Sequence, residues 1–266
     1  MVYNSFQLTF KYLHYLATAS NGKGHGIHSP FIYRFIKEVL NDRSQYEAYG
    51  KVEKLRQKLL NDKLLVNVND FGAGSSVNKN ERRSISSIAK NSAKSKKYGQ
   101  LLFRMVKFYQ PATILELGTS LGITSSYLAL ANTAAKFLTI EGSKEIASVA
   151  KQNFESLKIH NADSLVGNFD QVLNGIVNGL PSIDFVFIDG NHRKEPVLKY
   201  FQQLSSKINI NSIIVFDDIH WSREMEVAWE EIRKLPSVLC SVDLFFAGII
   251  FFNPAFREKQ QFKIRF

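Results

Sequence analysis

Thr113 to Ser125, T-I-L-E-L-G-T-S-L-G-I-T-S, is the stretch whose reading decides the fold. The apolar pair Ile114-Leu115 predicts a strand, and Glu116 leads from it into a turn containing Gly118 and Gly122. A helical pattern follows in Tyr127, Leu128, Leu130 and Ala131. Two glycines let the backbone bend sharply and approach a ligand closely. The helix that begins near Thr124 points its free N–H groups over the turn, which suits a nucleotide-type ligand. The competing reading is an ordinary βα turn that contains two glycines.

Outward from this stretch, strands and helices alternate. Strands are expected at Phe137–Ile140, around Ile159 and ending at Asn161-Ala162-Asp163, at Ile183–Ile188 and at Ser212–Phe216. Helices are expected at Ala147–Leu157, Phe169–Val177, Val197–Ile208 and Met225–Leu235. Two further strands, Val238–Leu244 and Gly248–Phe252, read as an antiparallel pair at one edge. Such alternation predicts an α/β fold, a mostly parallel sheet covered by helices on both faces. Ligands of such sheets sit outside the carboxyl ends of the strands. Each expected strand ends there in an acidic residue: Glu116, Glu141, Asp163, Asp189 and the pair Asp217-Asp218. Glu141, at the end of the second strand, is placed to take both hydroxyls of a ribose. The G-x-x-x-G spacing of Gly118 and Gly122 departs from the G-x-G-x-x-G of dinucleotide enzymes, which argues against a bound pyrophosphate.

Charge divides the chain. Residues 1–110 hold 19 Lys and Arg against 7 Asp and Glu, a balance of +12, whereas residues 111–266 hold 15 against 17, a balance of −2. A basic region beside a near-neutral domain suits an acidic substrate, nucleic acid or anionic lipid; a solvated helical surface is the plainer reading. The longest apolar run, Leu244 to Phe252, falls short of the roughly 20 residues a membrane span needs. Lys11 and His14 interrupt the apolar N-terminal segment, so no secretory leader is expected. The single cysteine, Cys240, fits a reducing cytoplasm.

The N-terminal region reads as helical. Phe6, Phe10, Leu13 and Ala17 fall at helical spacing and are expected to face the core, with a membrane-surface or lipid contact as the alternative. Asn21 to Pro30, N-G-K-G-H-G-I-H-S-P, is a loop, and its His25 and His28 have no acidic or cysteine neighbour at metal-ligand spacing. Ser29-Pro30 starts a second helix to about Leu40, with a third at Tyr46–Leu60. Asp70 to Ser75, D-F-G-A-G-S, lacks a following apolar helix face and reads as a mobile loop or lid. A basic helix is expected over Ser84–Lys97, and an amphipathic one from Leu101 to Phe108.

These residues resemble class I S-adenosylmethionine-dependent methyltransferases, and among them the small-molecule O-methyltransferases of the catechol and caffeoyl-coenzyme A type. Glu116 to Thr124 matches the first motif of that family, and Gly99-Gln100-Leu101 resembles the element before it. The resemblance covers about Lys97 to Phe252. It implies a Rossmann-like methyltransferase fold with a seven-stranded, mostly parallel sheet over 97–266. Residues 1–96 then form a helical lid and acceptor pocket. It further implies that Gly99, Glu116, Gly118, Ser120, Gly122 and Thr124 surround the cofactor, that Glu141 holds its ribose, and that Ala162 and Asp163 lie by the adenine. Phe187 to His192, F-I-D-G-N-H, and Phe216 to Asp218, F-D-D, look like the motifs that carry a divalent metal, with Asp189, Asp217 and Asp218 as ligands. N-capping of the following helices would explain one of the paired acids but not both.

Two departures from the catechol-type pattern stand out. Asp218 replaces an Asn, as in sugar and antibiotic O-methyltransferases of double-Asp type, and His192 replaces a Lys base. His192 is therefore a candidate base at neutral pH, with capping or pocket lining as the alternative. His220-Trp221 is expected to line the acceptor pocket, with ordinary packing as the close alternative. The leading function is O-methylation of a small-molecule hydroxyl with S-adenosylmethionine and Mg²⁺ or another divalent cation. Methylation of RNA or another polyanion is the alternative, and a non-catalytic cofactor-binding protein is a third.

Overall fold

The computed structural model describes residues 2–68, 82–92 and 94–266. The Asp70–Ser75 loop lies outside the described residues. The chain forms two compact units, residues 1–42 with 173–266, and residues 43–172. They are a different partition from 1–96 and 97–266.

In the first unit, α1 (Ser5–Thr18) opens on a capping box, with Asn4 accepting from the Gln7 amide and Gln7 accepting from the Asn4 amide. The helix is amphipathic, but the expected stripe is not its buried face. Phe6, Phe10 and Leu13 are 81%, 68% and 58% exposed. Leu8, Tyr12, Tyr15, Leu16 and Ala19 pack around Phe245 instead. At about 100° per residue, positions 8, 12, 15 and 19 lie nearly opposite positions 6, 10, 13 and 17, so the sequence carries two apolar stripes. The tyrosines settle the choice: the Tyr12 and Tyr15 rings lie 4.9 and 5.3 Å from the Phe245 ring, and the Tyr15 hydroxyl donates to the Ile264 carbonyl. Helix α2 (Pro30–Phe35) begins with the Ser29 hydroxyl accepting from the Ile32 amide and runs into a π-helical turn, Ile36–Leu40.

The second unit contains α3 (Glu47–Leu60), an antiparallel hairpin of β1 (Leu65–Asn67) and β2 (Arg82–Ser84), α4 (Ile85–Ser92) and α5 (Lys96–Tyr109). Next come β3 (Thr113–Leu117), α6 (Ile123–Ala131), β4 (Lys136–Glu141), α7 (Lys144–Ser156) and β5 (Ala162–Val166). Strand β4 lies between β3 and β5, parallel to both. All five residues of β3 are buried, as in a parallel strand covered on both faces. Strand β5 corrects an expectation. It starts, and does not end, at Ala162-Asp163, while Ile159 closes the end of α7 by donating its amide to the Phe154 carbonyl. Its sequence, A-D-S-L-V, lacks the apolar run that marks the other parallel strands.

Helix α8 (Phe169–Asn178) crosses the boundary at 172/173 and leads back to the first unit. There β6 (Ile183–Ile188), α9 (Lys194–Ser205), β7 (Ile208–Asp217), α10 (Arg223–Lys234), β8 (Cys240–Asp243), β9 (Ala247–Phe251) and β10 (Gln260–Lys263) follow. The strands of this unit run in the order β10-β8-β9-β7-β6. Strands β6 and β7 are parallel, β9 is antiparallel to β7 and β8, and β10 is parallel to β8. Among the described residues the sheet has eight strands where seven were expected, and β10 displaces the β8–β9 pair from the edge. Gln260–Lys263, Q-Q-F-K, has one apolar residue and gives no strand pattern. The whole is a mostly parallel sheet flanked by helices, a Rossmann-like methyltransferase fold.

Candidate active site

The turn after β3 is built from left-handed residues: Gly118, Ser120 and Gly122 have φ of 109°, 48° and 77°. Gly118 and Thr119 donate their amides to the Ile140 carbonyl at 3.0 and 3.2 Å, which ties the turn to the end of β4. Gly122 caps α6 without a side-chain hydrogen bond. Glu141 completes this cradle. One carboxylate oxygen accepts the Ser120 amide at 2.8 Å and the other accepts the Ser143 amide at 2.9 Å. A carboxylate accepts up to about four hydrogen bonds, which suits it to the vicinal hydroxyls of a ribose. Ser143, unremarked in the sequence, starts α7 directly after Glu141-Gly142, and its hydroxyl donates to the Asn67 carbonyl at 3.0 Å.

Other expected cofactor residues have structural work to do. Gly99 lies inside α5, where a Cβ would stand 2.7 Å from two ring carbons of the buried Tyr127. Tyr127 in turn donates to Glu53 at 2.8 Å. The Glu116 side chain is fully buried, accepting from Ser125 and, at 2.6 Å, from Thr139. It braces the first turn of α6 against β4 from within. Thr124 is 7% exposed. Ala162 and Asp163 pair with Phe137 and Leu138 at the start of β4, so they stand at the opposite end of the strands from Glu141. The carboxyl end of β5 is Val166, followed by Gly167, whose amide donates to the Glu141 carbonyl at 2.9 Å, and Asn168. A glycine just ahead of a helix was the signal available there.

The first unit gathers a second set of groups. Asp189 follows β6, Asp217 ends β7, and His192 returns toward Asp189 through a tight loop. Asn191 takes the left-handed conformation in that loop, φ 62°, and its side-chain Nδ2 donates to the Tyr200 hydroxyl at 2.9 Å. Nε2 of His192 lies 3.6 Å from Asp189 Oδ1, and the imidazole ring lies 5.6 Å from the ring of Trp221. One ligand atom each from Asp189, His192 and Asp217 falls within 4.8 Å of the others, the one such group among the described residues. Asp218 was expected in it and is not. Its backbone turns away at φ 52°, its amide donating to the Phe246 carbonyl at 2.8 Å and its carbonyl accepting from Trp221 at 2.9 Å. Two carboxylate oxygens and an imidazole nitrogen are a donor set that fits a divalent cation.

His220 is held on both ring nitrogens, as its packing alternative would have it. Nδ1 lies 2.9 Å from Glu226 Oε1 and Nε2 2.9 Å from Asp243 Oδ2, with the ring stacked on Phe245. Burial alone would lower the His220 pKa, but hydrogen bonds to Asp243 and Glu226 outweigh it and hold the value at about 9. Burial likewise opposes the charge on Glu226, yet hydrogen bonds with His220, Tyr3 and Lys11 hold its pKa down at about 2.

Residues 115–219 match a family model described as a methyltransferase domain. Among solved structures of similar fold, the O-methyltransferase TomG of Streptomyces achromogenes, involved in tomaymycin synthesis and bound to S-adenosylmethionine, superposes with a TM-score of 0.56 at 18% identity, over 78% of this chain and 91% of that one. An O-methyltransferase of Bacillus cereus bound to S-adenosylhomocysteine does so with a TM-score of 0.56 at 17% identity, over 84% and 98%. A tRNA (guanine-N(7)-)-methyltransferase of Mycoplasma mobile is 34% identical over 77 residues, 29% of this chain and 38% of that protein. The chain spans little more than a third of the length of the curated relatives it matches. The fold and the matched domain are together similar to those of S-adenosylmethionine-dependent methyltransferases. Its structural likeness is to O-methyltransferases.

Proposed function

We propose that the chain transfers a methyl group from S-adenosylmethionine to a hydroxyl of a small molecule, with help from a divalent cation. The observation that carries this reading is the meeting of Asp189, His192 and Asp217, because methyl transfer needs a nucleophilic acceptor oxygen and this donor set can supply one. Glu141, braced by the Ser120 and Ser143 amides, would hold the ribose, and Gly118, Ser120 and Gly122 would shape the turn around the cofactor. Asp189, Asp217 and His192 would hold the cation, which when bound lowers the pKa of an acceptor hydroxyl. His192 alternatively takes the acceptor proton as a base, its ring fixed beside Asp189 and Trp221. The imidazole donor makes Mn²⁺ and related ions candidates alongside Mg²⁺. Residues 1–96 are assigned as lid and acceptor pocket. A cytoplasmic setting suits the single, buried Cys240, and among the described residues no helix is long and apolar enough to cross a membrane.

RNA or another polyanion is a second acceptor reading, supported by the +12 balance of residues 1–110 and the partial likeness to a tRNA methyltransferase. Transfer of labelled methyl to a panel of hydroxylated small molecules and to RNA, with and without Mg²⁺ or Mn²⁺, separates these readings. Label in a small molecule that disappears with chelator supports the first; label in RNA supports the second; no transfer to any acceptor leaves a cofactor-binding protein.

A further inference from the structure

A charged cluster outside the proposed reaction centre joins the N-terminal helix to the turn that follows Asp217. The Tyr3 hydroxyl donates to Glu226 Oε2 at 2.6 Å, and Lys11 Nζ reaches both Glu226 oxygens at 3.0 Å. Glu226 also meets His220 at 2.9 Å, and His220 meets Asp243 at 2.9 Å on its other nitrogen. The backbone adds to this link: Val2 bridges Ser222, and the Tyr3 amide donates to the Trp221 carbonyl at 3.1 Å. Side-chain exposure falls from 34% at Lys11 through 22% at Glu226 and 19% at His220 to 3% at Asp243, so the chain of contacts runs from surface to core.

All of these contacts converge on residues 220–226, which directly follow the pair Asp217-Asp218. Asp217 is the last residue of β7, and the turn after it is held at one end by the strand. At the other end it is held by His220, wedged between Glu226 on α10 and Asp243 on β8. Nothing in this cluster belongs to the group formed by Asp189, His192 and Asp217. Charge-assisted hydrogen bonds in a partly buried setting are stronger and more directional than exposed ion pairs, which suits them to fixing a turn. Trp221, one residue beyond His220, carries the ring that lies against His192, so the position of the turn also sets the surroundings of that imidazole.

We propose that His220 and Glu226 are positioning residues through which the N-terminal segment, by Tyr3 and Lys11, fixes the Asp217–Ser222 turn and thereby sets the cation affinity of Asp189, His192 and Asp217. The inference rests on the metal reading given above. It assigns residues 2–11 a role in the cation site without contact between them and the cation.

Mn²⁺ titration of the full chain, followed by electron paramagnetic resonance, tests it, with S-adenosylmethionine affinity measured on the same samples as a check that the cradle of the other unit is intact. Glu226→Gln and His220→Gln should each weaken Mn²⁺ binding tenfold or more and leave cofactor affinity within twofold. The double variant should lose little more than either single one, because both substitutions break the same link. If Glu226→Gln does not fold, Tyr3→Phe combined with Lys11→Met removes the outer half of the cluster from a more exposed position and should still weaken Mn²⁺ severalfold. Wild-type Mn²⁺ affinity in folded variants overturns the positioning role and leaves the metal reading standing. A wild-type chain that binds no Mn²⁺ overturns the metal reading, and the positioning role with it.

Discussion

Gly122→Ala is the perturbation whose cost the structure defines most closely. Gly122 sits at φ 77°, where an L side chain crowds its own backbone at about 1–2 kcal/mol. An added Cβ would also stand 2.7 Å from Phe154 Cε1, 3.1 Å from Phe154 Cζ and 3.3 Å from the Ala150 methyl. Phe154 is 3% exposed, so the ring cannot swing into solvent, and overpacking of this kind costs about 1–3 kcal/mol. Together the two effects amount to about 2–5 kcal/mol, or on the order of 10 °C in melting temperature for a chain of this size. Urea denaturation of Gly122→Ala beside Gly175→Ala is the assay. Gly175 lies exposed within α8 with no heavy atom within 4 Å of its added Cβ, so alanine there should stabilise by up to about 1 kcal/mol. In a Phe154→Leu background the steric share of the Gly122→Ala cost should shrink while the backbone share persists. Equal stability of the two alanine variants would refute this account of the turn.

Three further outcomes follow from the same geometry. Glu141→Ala removes a charge-assisted contact worth about 1.5–3 kcal/mol and should weaken S-adenosylmethionine binding about 10- to 100-fold by calorimetry. Asp217→Asn should weaken Mn²⁺ binding without changing cofactor affinity, and His192→Gln separates ligand from base: loss of Mn²⁺ identifies a ligand, loss of turnover with Mn²⁺ retained identifies a base. His220 has a folded pKa of about 9 against 6.5 when unfolded, so its stabilisation is complete below pH 6.5 and is lost as the pH rises through about 9. Wild-type stability should fall by about 3 kcal/mol over that window, and the slope should be absent in His220→Gln.

The strands that carry the cradle, β3 and β4, and those that carry Asp189 and Asp217, β6 and β7, were legible because they are largely apolar runs flanked by glycine or acid, the signature of parallel strands buried on both faces. β5 and β10 were not: half-polar strands at the margins of a sheet lack that signature, and β5 was placed several residues early because Ile159 is the conspicuous apolar residue nearby. In α1 the periodicity was correct and the face was not, because two apolar stripes share one helix and tertiary contact with Phe245 decides between them. At the site, motif order pointed to Asp189 and Asp217 but could not reveal that Asp218 turns away at φ 52° or that His192 folds back toward Asp189, since both depend on left-handed residues that spacing does not show. The bracing of His220 between Glu226, six residues on, and Asp243, 23 residues on, was not legible, because Asp243 belongs to a different strand from the motif that drew attention to His220.

The central claim is that the turn after β3 and Glu141 form the cofactor site of a methyltransferase, and calorimetric titration with S-adenosylmethionine, S-adenosylhomocysteine and NAD tests it most directly. Saturable binding of both S-adenosyl compounds, weakened in Glu141→Ala, with no heat from NAD, is the expected result. Binding of NAD, or S-adenosylmethionine binding unaffected by loss of the Glu141 carboxylate, would contradict it.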